Sequence, residues 1–194
     1  FPQVKLILNR SNLGFTKANN QGIRLSKGEY ILLLNSDTHL IEDSLTKLVK
    51  KAQNLPQIGA LGPRLLNEDG SIQQSVGFFP HLPQIFWWMT FIDDLPGGQF
   101  LKPYHVDHDI FYKKERLVDW VTAAAILLQR KVIDQVGSLD EKIFMYGEEV
   151  EWCWRIKKAG FKILFTPITG IVHIGRGSSQ KIPTAAFIGE YKAI

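Results

Sequence analysis

The chain has 194 residues, 45% hydrophobic and 22% charged, which is the balance of an ordinary globular domain with a sizeable core. Its net charge of +4 comes without a dense basic tract, which argues against nucleic acid as a partner and is compatible with a small anionic ligand. The single cysteine excludes an internal disulfide and fits a reducing compartment, and no apolar run approaches the roughly 20 residues that span a bilayer.

The first 25 residues predict a strand followed by a helix. Residues 4–8 are rich in apolar side chains, as is typical of a short strand. Between residues 15 and 25, small and apolar residues recur at helical spacing, namely Phe15, Ala18, Gly22 and Leu25. Asn12, Gly14, Asn19 and Gly22 form a second pattern. It indicates either a helix cap with two close-packing glycines or a helix packed tightly beside a nucleotide site.

The most informative stretch is residues 31–38, with the sequence ILLLNSDT. Its four apolar residues predict a strand buried on both faces. In open α/β sheets, ligands bind just beyond the carboxyl ends of such strands, so Asp37 is well placed to hold a metal ion or a polar ligand. Asn, Ser, Asp and Thr are also turn residues, so an ordinary turn is the alternative.

Residues 41–76 predict a helix, a strand and a hairpin. Apolar residues form one helical face from Ile41 to Ala52, with Glu42 and Asp43 in the first turn, where acids complement the helix dipole. A short strand follows at residues 58–61. The turn sequence NEDG at residues 67–70 then closes a hairpin.

The region from residue 80 to residue 114 is the least regular. It contains the apolar spacing of a short amphipathic helix at Trp88, Phe91, Ile92 and Leu95. This stripe would pack on the core, line an acceptor site or touch a membrane surface. The sequence HVDHD at residues 105–109 is interpreted as a polar loop rather than a metal site.

The last third of the chain predicts helices at residues 130–136 and 148–159, which Gly137 and Gly160 terminate. A final strand is predicted at residues 161–165, with Pro167 as its end.

The second of these helices begins with three acids, Glu148, Glu149 and Glu151. A carboxylate here would act as a general base if it reached the hydroxyl that attacks. The structural alternative is that the acids complement the helix dipole and that Glu151 pairs with Arg155 one turn later.

His173 follows the last predicted strand. A lone histidine is most often structural, but an imidazole and the Asp37 carboxylate together are acceptable ligands for Mn²⁺, whereas Mg²⁺ prefers oxygen atoms and water. The diphosphate of a bound nucleotide would complete the coordination shell.

In their order and spacing, these stretches resemble glycosyltransferase family 2, an inverting family, and in particular its bacterial rhamnosyltransferase-like branch. The resemblance covers almost the whole chain and rests on NLGF with NNQG, LLNSDT, GPRLLN with DG, VDWV, GSLDE with FMYGEE, WCWR with AG, and His173. It implies a GT-A-type, Rossmann-like α/β/α sandwich with a mixed central sheet, and a single domain over residues 1–194. The family's first strand-helix-strand unit precedes the segment matched by residue 1. We therefore expect an N-terminally truncated GT-A domain without the first nucleotide-binding βαβ unit.

The resemblance also implies a role for each of several residues. The sequence NSD at residues 35–37 matches the family's D-x-D-type motif, which makes Asp37 the contact to metal and diphosphate and Asn35 a hydrogen-bonding donor contact. His173 matches the late metal-binding histidine. Gly14 and Trp120 lie in matching segments and are the other expected donor-binding residues.

For the chemistry, Glu148-Glu149 matches the family's Glu-Asp motif, whose second acid is the expected base. Glu149 is therefore the expected base, with Glu148 beside it as the other catalytic acid. A glutamate in place of the usual aspartate extends the carboxylate by one methylene.

The implied activity is inverting transfer of a sugar from a nucleotide-sugar donor to a hydroxyl of a saccharide or lipid-linked saccharide acceptor, assisted by Mn²⁺ or Mg²⁺. The branch suggests a hexosyltransferase that uses rhamnose in cell-wall or polysaccharide biosynthesis. We expect it in the cytoplasm, at the inner face of the membrane if it makes peripheral membrane contact.

Two alternatives stay open from the sequence. One is a truncated, non-catalytic domain that binds glycans or a partner. The other is a haloacid-dehalogenase-like phosphatase, which also places D-x-D-x-T after a buried strand. Asn35 would then occupy the position of the nucleophilic aspartate, and an amide cannot form an aspartyl-phosphate.

Overall fold

A mixed β-sheet with helices on both faces organises the molecule. The computed structural model describes residues 2–79 and 104–175. The helices are α1 (Phe15–Leu25), α2 (Ser44–Gln53), α3 (Arg130–Val136) and α4 (Glu148–Lys158), with a 3₁₀ turn at Asp109–Lys113. The strands are β1 (Tyr30–Leu34), β2 (Thr38–Leu40), β3 (Ile58–Leu66), β4 (Ile72–Gln73), β5 (Val76–Gly77), β6 (Arg116–Val118), β7 (Trp120–Val121), β8 (Ala125–Gln129) and β9 (Lys162–His173).

The main sheet has the strand order β1-β8-β3-β9-β2, with β4 added beside β3 and β6 beside β9. Only β3 and β9 run parallel within this sheet, and its other described pairs are antiparallel. Strands β5 and β7 form a separate small sheet. The predicted mixed central sheet is therefore confirmed.

Two apolar clusters cover the two faces of the main sheet. One contains side chains of α1, α3 and α4, among them Ile23, Val132, Trp152 and Ile156. The other contains Leu48 and Ala52 of α2. Both faces of the sheet are apolar, and each helix has one apolar face. Helices therefore pack on both faces of the sheet and form a three-layer sandwich.

The strand predicted at residues 4–8 is wrong. These residues have no regular secondary structure, and Val4, Leu6 and Leu8 are 65%, 76% and 83% exposed. A strand is stabilised by hydrogen bonds to a neighbour, and among the described residues β1 pairs only with β8 while nothing pairs with residues 4–8. Apolar composition alone therefore does not make this segment a strand.

Helix α1 has the predicted bounds but a different buried face. Thr16, Asn20 and Ile23 are buried, whereas Leu25 is 55% exposed. A Cβ added to Gly22 would meet no atom within 4 Å, so the prediction that this glycine packs closely is wrong. The polar residues are buried because backbone groups of a later loop satisfy them.

Asn20 makes the central contacts of that interface. Its Nδ2 donates to the carbonyl of Leu139 at 2.8 Å, and its Oδ1 accepts from the Leu139 amide at 3.1 Å. Asn20→Ala should lower the free energy of unfolding by about 2–4 kcal/mol, because it leaves a buried N–H and a buried carbonyl unpaired. Asn19→Ala is the matched control, since within the described residues Asn19 donates only to the Phe15 carbonyl of its own helix, and it should cost under about 1 kcal/mol. Equal costs in urea unfolding would contradict the role of Asn20.

Helix α2 begins three residues later than predicted. Strand β2 keeps the chain extended as far as Leu40, and Glu42, at a φ of 55°, makes the turn that follows. The helix therefore starts at Ser44, and Glu42 and Asp43 precede it instead of forming its first turn. Pairing of β2 with β9 outweighs the helical periodicity of this segment.

Pro167 does not end the last strand, as the sequence predicted. Strand β9 continues to His173. Its Thr166 is opposite Pro63 of β3, and the next residue of β3, Arg64, is opposite Gly170 of β9. A proline has no N–H to donate, but residues 167–169 lie in the bulge and need not pair with β3. This continuation carries the chain to His173.

Helices α3 and α4 match their predicted positions, and Gly137 and Gly160 follow them at positive φ. The amphipathic helix predicted around Trp88 lies outside the described residues. Over residues 2–79 and 104–175, no helix combines the length and apolar character needed to cross a bilayer.

Candidate functional site

The turn between β1 and β2 holds the first candidate residues. The Asn35 amide donates to the carbonyl of Ala124 at 2.9 Å, which ties the end of β1 to the start of β8. The Thr38 hydroxyl donates back to the Asn35 carbonyl at 2.7 Å. The turn and the buried strand thus coexist, and the strand end fixes the backbone of residues 35–38.

Pairing of β2 with β9 brings Asp37 to His173. Thr38 is opposite His173 in the register, and the Ile174 amide donates to the Asp37 carbonyl at 2.9 Å. Asp37 Oδ1 lies 3.4 Å from His173 Nε2, and Asn35 Nδ2 lies 3.3 Å from the same nitrogen. His173 therefore shares one location with Asn35 and Asp37, two predicted site residues more than 130 positions before it in the sequence.

This pair fits a divalent cation. Two ligand atoms bound at about 2.1 Å in neighbouring positions stand roughly 3 Å apart, close to the Asp37–His173 separation. Both side chains are partly shielded, with 28% of Asp37 and 15% of His173 exposed. Among the residues that the structure describes, no group of three or more His, Cys, Asp or Glu side chains is placed to hold a metal. The remaining ligands would come from water or from a bound diphosphate.

Gln73 is a site residue that no sequence motif predicted. Its Oε1 lies 2.7 Å from His173 Nδ1, and its Nε2 donates to the His173 carbonyl at 3.2 Å. Gln73 reaches this position because β4 pairs with β3, and β3 pairs in parallel with β9. No local sequence pattern announces such a contact, since it depends on three strands meeting.

The predicted catalytic acids begin α4 on the opposite face of the sheet from α2. The chain enters this helix through two residues at positive φ, Tyr146 at 70° and Gly147 at 85°. Glu148 is 4% exposed, and its Oε2 is buried without a hydrogen-bond partner in the described part of the chain. Burial raises the pKa of the Glu148 carboxyl, although the backbone amides of Glu148 and Tyr146 oppose the rise. Glu149 is half-buried beside it.

The pKa shift of Glu148 predicts a pH dependence of stability. The folded state holds the proton more tightly than the unfolded state, whose carboxyl titrates near 4.5, so stability should fall as pH rises from there through the folded pKa. Glu148→Gln carries no titrating group, so its unfolding free energy should rise relative to the parent as pH increases. Denaturant unfolding between pH 4 and 8 measures this difference. A difference that does not change with pH would contradict it.

Glu151 serves as the control for that experiment, because its carboxylate has a structural partner. It pairs with Arg155 at 2.6 Å, which is the structural alternative that the sequence offered for this acid. Arg155 also donates to the carbonyl of Val136, the last residue of α3, at 2.6 Å and to the carbonyl of Ser138 just beyond it at 2.8 Å. Glu151→Gln should therefore lower stability at pH 7, because it removes the charge that pairs with Arg155.

Trp120 lies in β7, against which α4 packs. Its ring contacts Tyr104 and His105, with centroid distances of 5.4 and 5.0 Å. Trp120 is 3% exposed, and its Nε1 is buried without a hydrogen-bond partner in residues 2–79 and 104–175. Trp120 thus sits with His105 of the predicted polar loop, and its role as a donor contact stays a prediction.

Several buried polar atoms without a hydrogen-bond partner among the described residues lie on segments that pack around β7. Besides Trp120 Nε1 and Glu148 Oε2, they include Ser75 Oγ beside β5 and Arg64 Nε on β3. Strand β5 pairs with β7, and a Cβ on Gly62 of β3 would lie 2.7 Å from Val121. Buried polar atoms are normally hydrogen-bonded, so this concentration around one strand marks a region suited to a polar ligand.

Gly14 has a demonstrable structural role. It precedes α1 with a φ of 82°, and an added Cβ would lie 2.6 Å from Phe144. The Phe15 amide donates to the Phe144 carbonyl at 2.9 Å. Gly14 therefore allows α1 to pack against the loop that leads to Glu148.

Cys153 is the one cysteine in the chain and lies a turn beyond Glu149. Complete burial raises the pKa of its thiol to about 12, and the negative charge of Glu149 contributes to the rise. A neutral, inaccessible thiol is a poor nucleophile, so the candidate chemistry rests on the carboxylates.

A family model described as glycosyl transferase family 2 matches residues 1–101, more than half of the chain. The chain belongs to glycosyl transferase family 2. This confirms the family inferred from the motifs.

Two named bacterial proteins are similar to this chain in sequence. The N-acetylglucosaminyl-diphospho-decaprenol L-rhamnosyltransferase of Mycobacterium tuberculosis is 27% identical over an alignment that covers all of this chain and 66% of the relative. The O-antigen biosynthesis protein RfbC of Myxococcus xanthus is 31% identical over 90% of this chain and 13% of its own length. The chain therefore spans just under two thirds of the mycobacterial relative and a small part of the second.

A crystal structure of GalNAc-T7 with UDP, GalNAc and Mn²⁺ has the same fold. It superimposes with a TM-score of 0.60 at 14% identity, over 87% of this chain and 31% of that one. The predicted GT-A-type fold is thereby confirmed for this family-2 chain.

Proposed function

We propose that the protein transfers a sugar from a nucleotide-diphosphate sugar to a hydroxyl group of a saccharide acceptor, with inversion. The observation that carries the proposal is the pairing of Asp37 with His173 at the end of a buried strand, in a chain of glycosyl transferase family 2. The carboxyl end of a strand is where open α/β sheets bind nucleotides.

Asp37 and His173 would hold a divalent cation, for which Mn²⁺ is the preferred candidate because it accepts both a carboxylate and an imidazole. When bound, such an ion offsets the negative charge that develops on the departing diphosphate. Asn35 Nδ2, next to His173, would donate a hydrogen bond to an oxygen atom of the diphosphate. The presence of UDP and Mn²⁺ with GalNAc-T7 supports this assignment.

Glu149 would be the general base. The oxygen of the acceptor hydroxyl attacks the anomeric carbon, its proton passes to the Glu149 carboxylate, and the bond to the nucleotide diphosphate breaks with its electron pair on the leaving oxygen. Burial raises the pKa of the Glu148 carboxyl, so this group holds a proton more readily than a free carboxyl and would then donate a hydrogen bond to a bound substrate. The two neighbouring acids would thus divide binding and proton transfer.

The relatives suggest the substrates. We propose rhamnose as the sugar and, as acceptor, N-acetylglucosamine attached through a diphosphate to a polyprenol, the acceptor in the name of the mycobacterial relative. Such an acceptor lies in a membrane, so we propose that the protein works in the cytoplasm at the inner membrane face. The two alternatives from the sequence are less well supported. Family membership favours transfer, and Asn35 cannot serve as a phosphatase nucleophile.

The test is a transfer assay with a panel of uridine- and thymidine-diphosphate sugars, with and without Mn²⁺. Polyprenyl-diphosphate N-acetylglucosamine is the acceptor, and nucleotide release and product mass are measured. The proposal predicts Mn²⁺-dependent release of the nucleotide diphosphate and a product heavier by one sugar. Nucleotide-independent glycan binding without turnover would favour the non-catalytic alternative, and phosphate release would favour the phosphatase.

A further inference from the structure

A chain of polar side chains leads from the surface turn after β3 to His173. Ser71 Oγ donates to Asp69 Oδ1 at 2.6 Å, and Asn67 Nδ2 donates to Ser71 Oγ at 2.8 Å. Gln73 Nε2 then donates to Asn67 Oδ1 at 3.0 Å, and Gln73 Oε1 meets His173 Nδ1 at 2.7 Å. Four consecutive hydrogen bonds therefore connect a carboxylate with the imidazole.

The direction of these bonds is fixed at both ends. The hydrogen bonds from Ser71 hold the pKa of the Asp69 carboxyl below its usual value, so this group is an ionised acceptor that cannot donate. At the other end, the His173 carbonyl can only accept, and Gln73 Nε2 donates to it at 3.2 Å. The amide nitrogen of Gln73 must therefore face this carbonyl, which leaves its oxygen to face the imidazole.

The amide orientation decides the imidazole tautomer. An oxygen at 2.7 Å from Nδ1 requires that Nδ1 carry a proton. In the neutral ring, Nε2 then has the free lone pair, and Nε2 is the nitrogen that faces Asp37 Oδ1 and Asn35 Nδ2. Asn35 Nδ2 is a donor, so it matches an unprotonated Nε2.

We propose that Gln73, oriented by the Asp69–Ser71–Asn67 chain, is a positioning residue that holds neutral His173 in the Nδ1–H tautomer and aims its Nε2 lone pair at the ligand site beside Asp37. Hydrogen bonds to the second ring nitrogen set both the tautomer and the ring orientation of metal-binding histidines. A glutamine gives this control without adding a second negative charge next to the cation site.

The tautomer can be measured on the metal-free chain by long-range ¹H–¹⁵N correlation spectra in alkaline buffer. His173→Gln assigns the signal, because the chain has five histidines. A pyrrole-type Nδ1 and a pyridine-type Nε2 are expected for His173. An Nε2–H tautomer, or a mixture of the two, in the unmodified chain would overturn the proposal, whether or not any variant folds.

Variants test whether Gln73 is the cause. Gln73→Met keeps the length of the side chain but removes the acceptor, so the ring should shift towards Nε2–H. Gln73→Glu retains an oxygen at Nδ1 and should keep the Nδ1–H tautomer. Gln74→Met is the matched control, since Gln74 is the exposed neighbour in sequence, and should leave the spectrum unchanged. An unchanged tautomer in folded Gln73→Met would also contradict the proposal.

The metal part of the inference rests on the proposed function and is tested separately. Calorimetric titration with Mn²⁺ and UDP should show about 10- to 100-fold weaker Mn²⁺ binding in Gln73→Met than in Gln74→Met, as for other partners of metal-binding histidines. Absence of Mn²⁺ binding to the unmodified chain would count against the proposed function while the measured tautomer still stands. Equal affinities in the two variants would overturn the positioning role.

Discussion

Asp37→Asn should lower kcat for sugar transfer by about 10²–10³-fold, the loss typical when one group that stabilises developing charge is removed. The substitution preserves the size of the side chain but removes the charge that faces His173 Nε2 at 3.4 Å. Mn²⁺ affinity should fall in the same variant, because an amide oxygen is a weaker cation ligand than a carboxylate. Steady-state kinetics with varied Mn²⁺, together with calorimetry, would measure both effects.

Asp43→Asn is the matched control for this experiment. It makes the same change of charge six positions away, at the start of α2, where the carboxylate makes no capping hydrogen bond. Its kcat and Mn²⁺ affinity should remain near those of the parent. Turnover by Asp37→Asn at the rate of the control would refute the metal assignment.

Glu149→Gln should lower kcat by about 10²–10⁴-fold, the range associated with loss of a general base. Nucleotide-sugar binding should change little, because the amide is isosteric and the proposed donor contacts lie on other elements. Glu149→Asp keeps a carboxylate but withdraws it by one methylene, about 1 Å, and should retain more activity than the amide. We expect kcat to decrease from the parent to Glu149→Asp and then to Glu149→Gln. This order distinguishes loss of the base from loss of the fold, because a misfolded variant would not keep intermediate activity.

The neighbouring acids provide the internal comparison. Glu151→Gln should keep kcat within a few-fold while it lowers stability, because Glu151 pairs with Arg155. The pH profile of kcat gives a second readout, since loss of the base should remove the acidic limb of the profile. If Glu148→Gln abolished turnover and Glu149→Gln did not, the roles of the two acids would be reversed.

The order of motifs along the chain was sufficient to predict the family, the mixed sheet and the position of most elements. Strand β1, helices α3 and α4 and the turn after β3 have strong local signals: an apolar run, helical periodicity and terminating glycines. Prediction from the sequence was wrong where pairing with a strand distant in sequence decided the structure. Residues 4–8 look like a strand but have no neighbour to pair with in the described structure, and β9 passes Pro167 because a bulge accommodates it.

Site residues divide along the same line. Asp37, His173 and the acids of α4 could be proposed from residue type and position, because a carboxylate at a strand end or a helix start has a recognisable chemistry. The distance between Asp37 and His173 could not be predicted from the sequence, because it depends on the pairing of β2 with β9. The parts played by Asn20 and Gln73 were not visible either, because a buried amide gains its role only from the backbone and side-chain groups that tertiary structure places around it. The sequence by itself thus determined which chemical groups are present, and the long-range pairing of strands decided which of them meet.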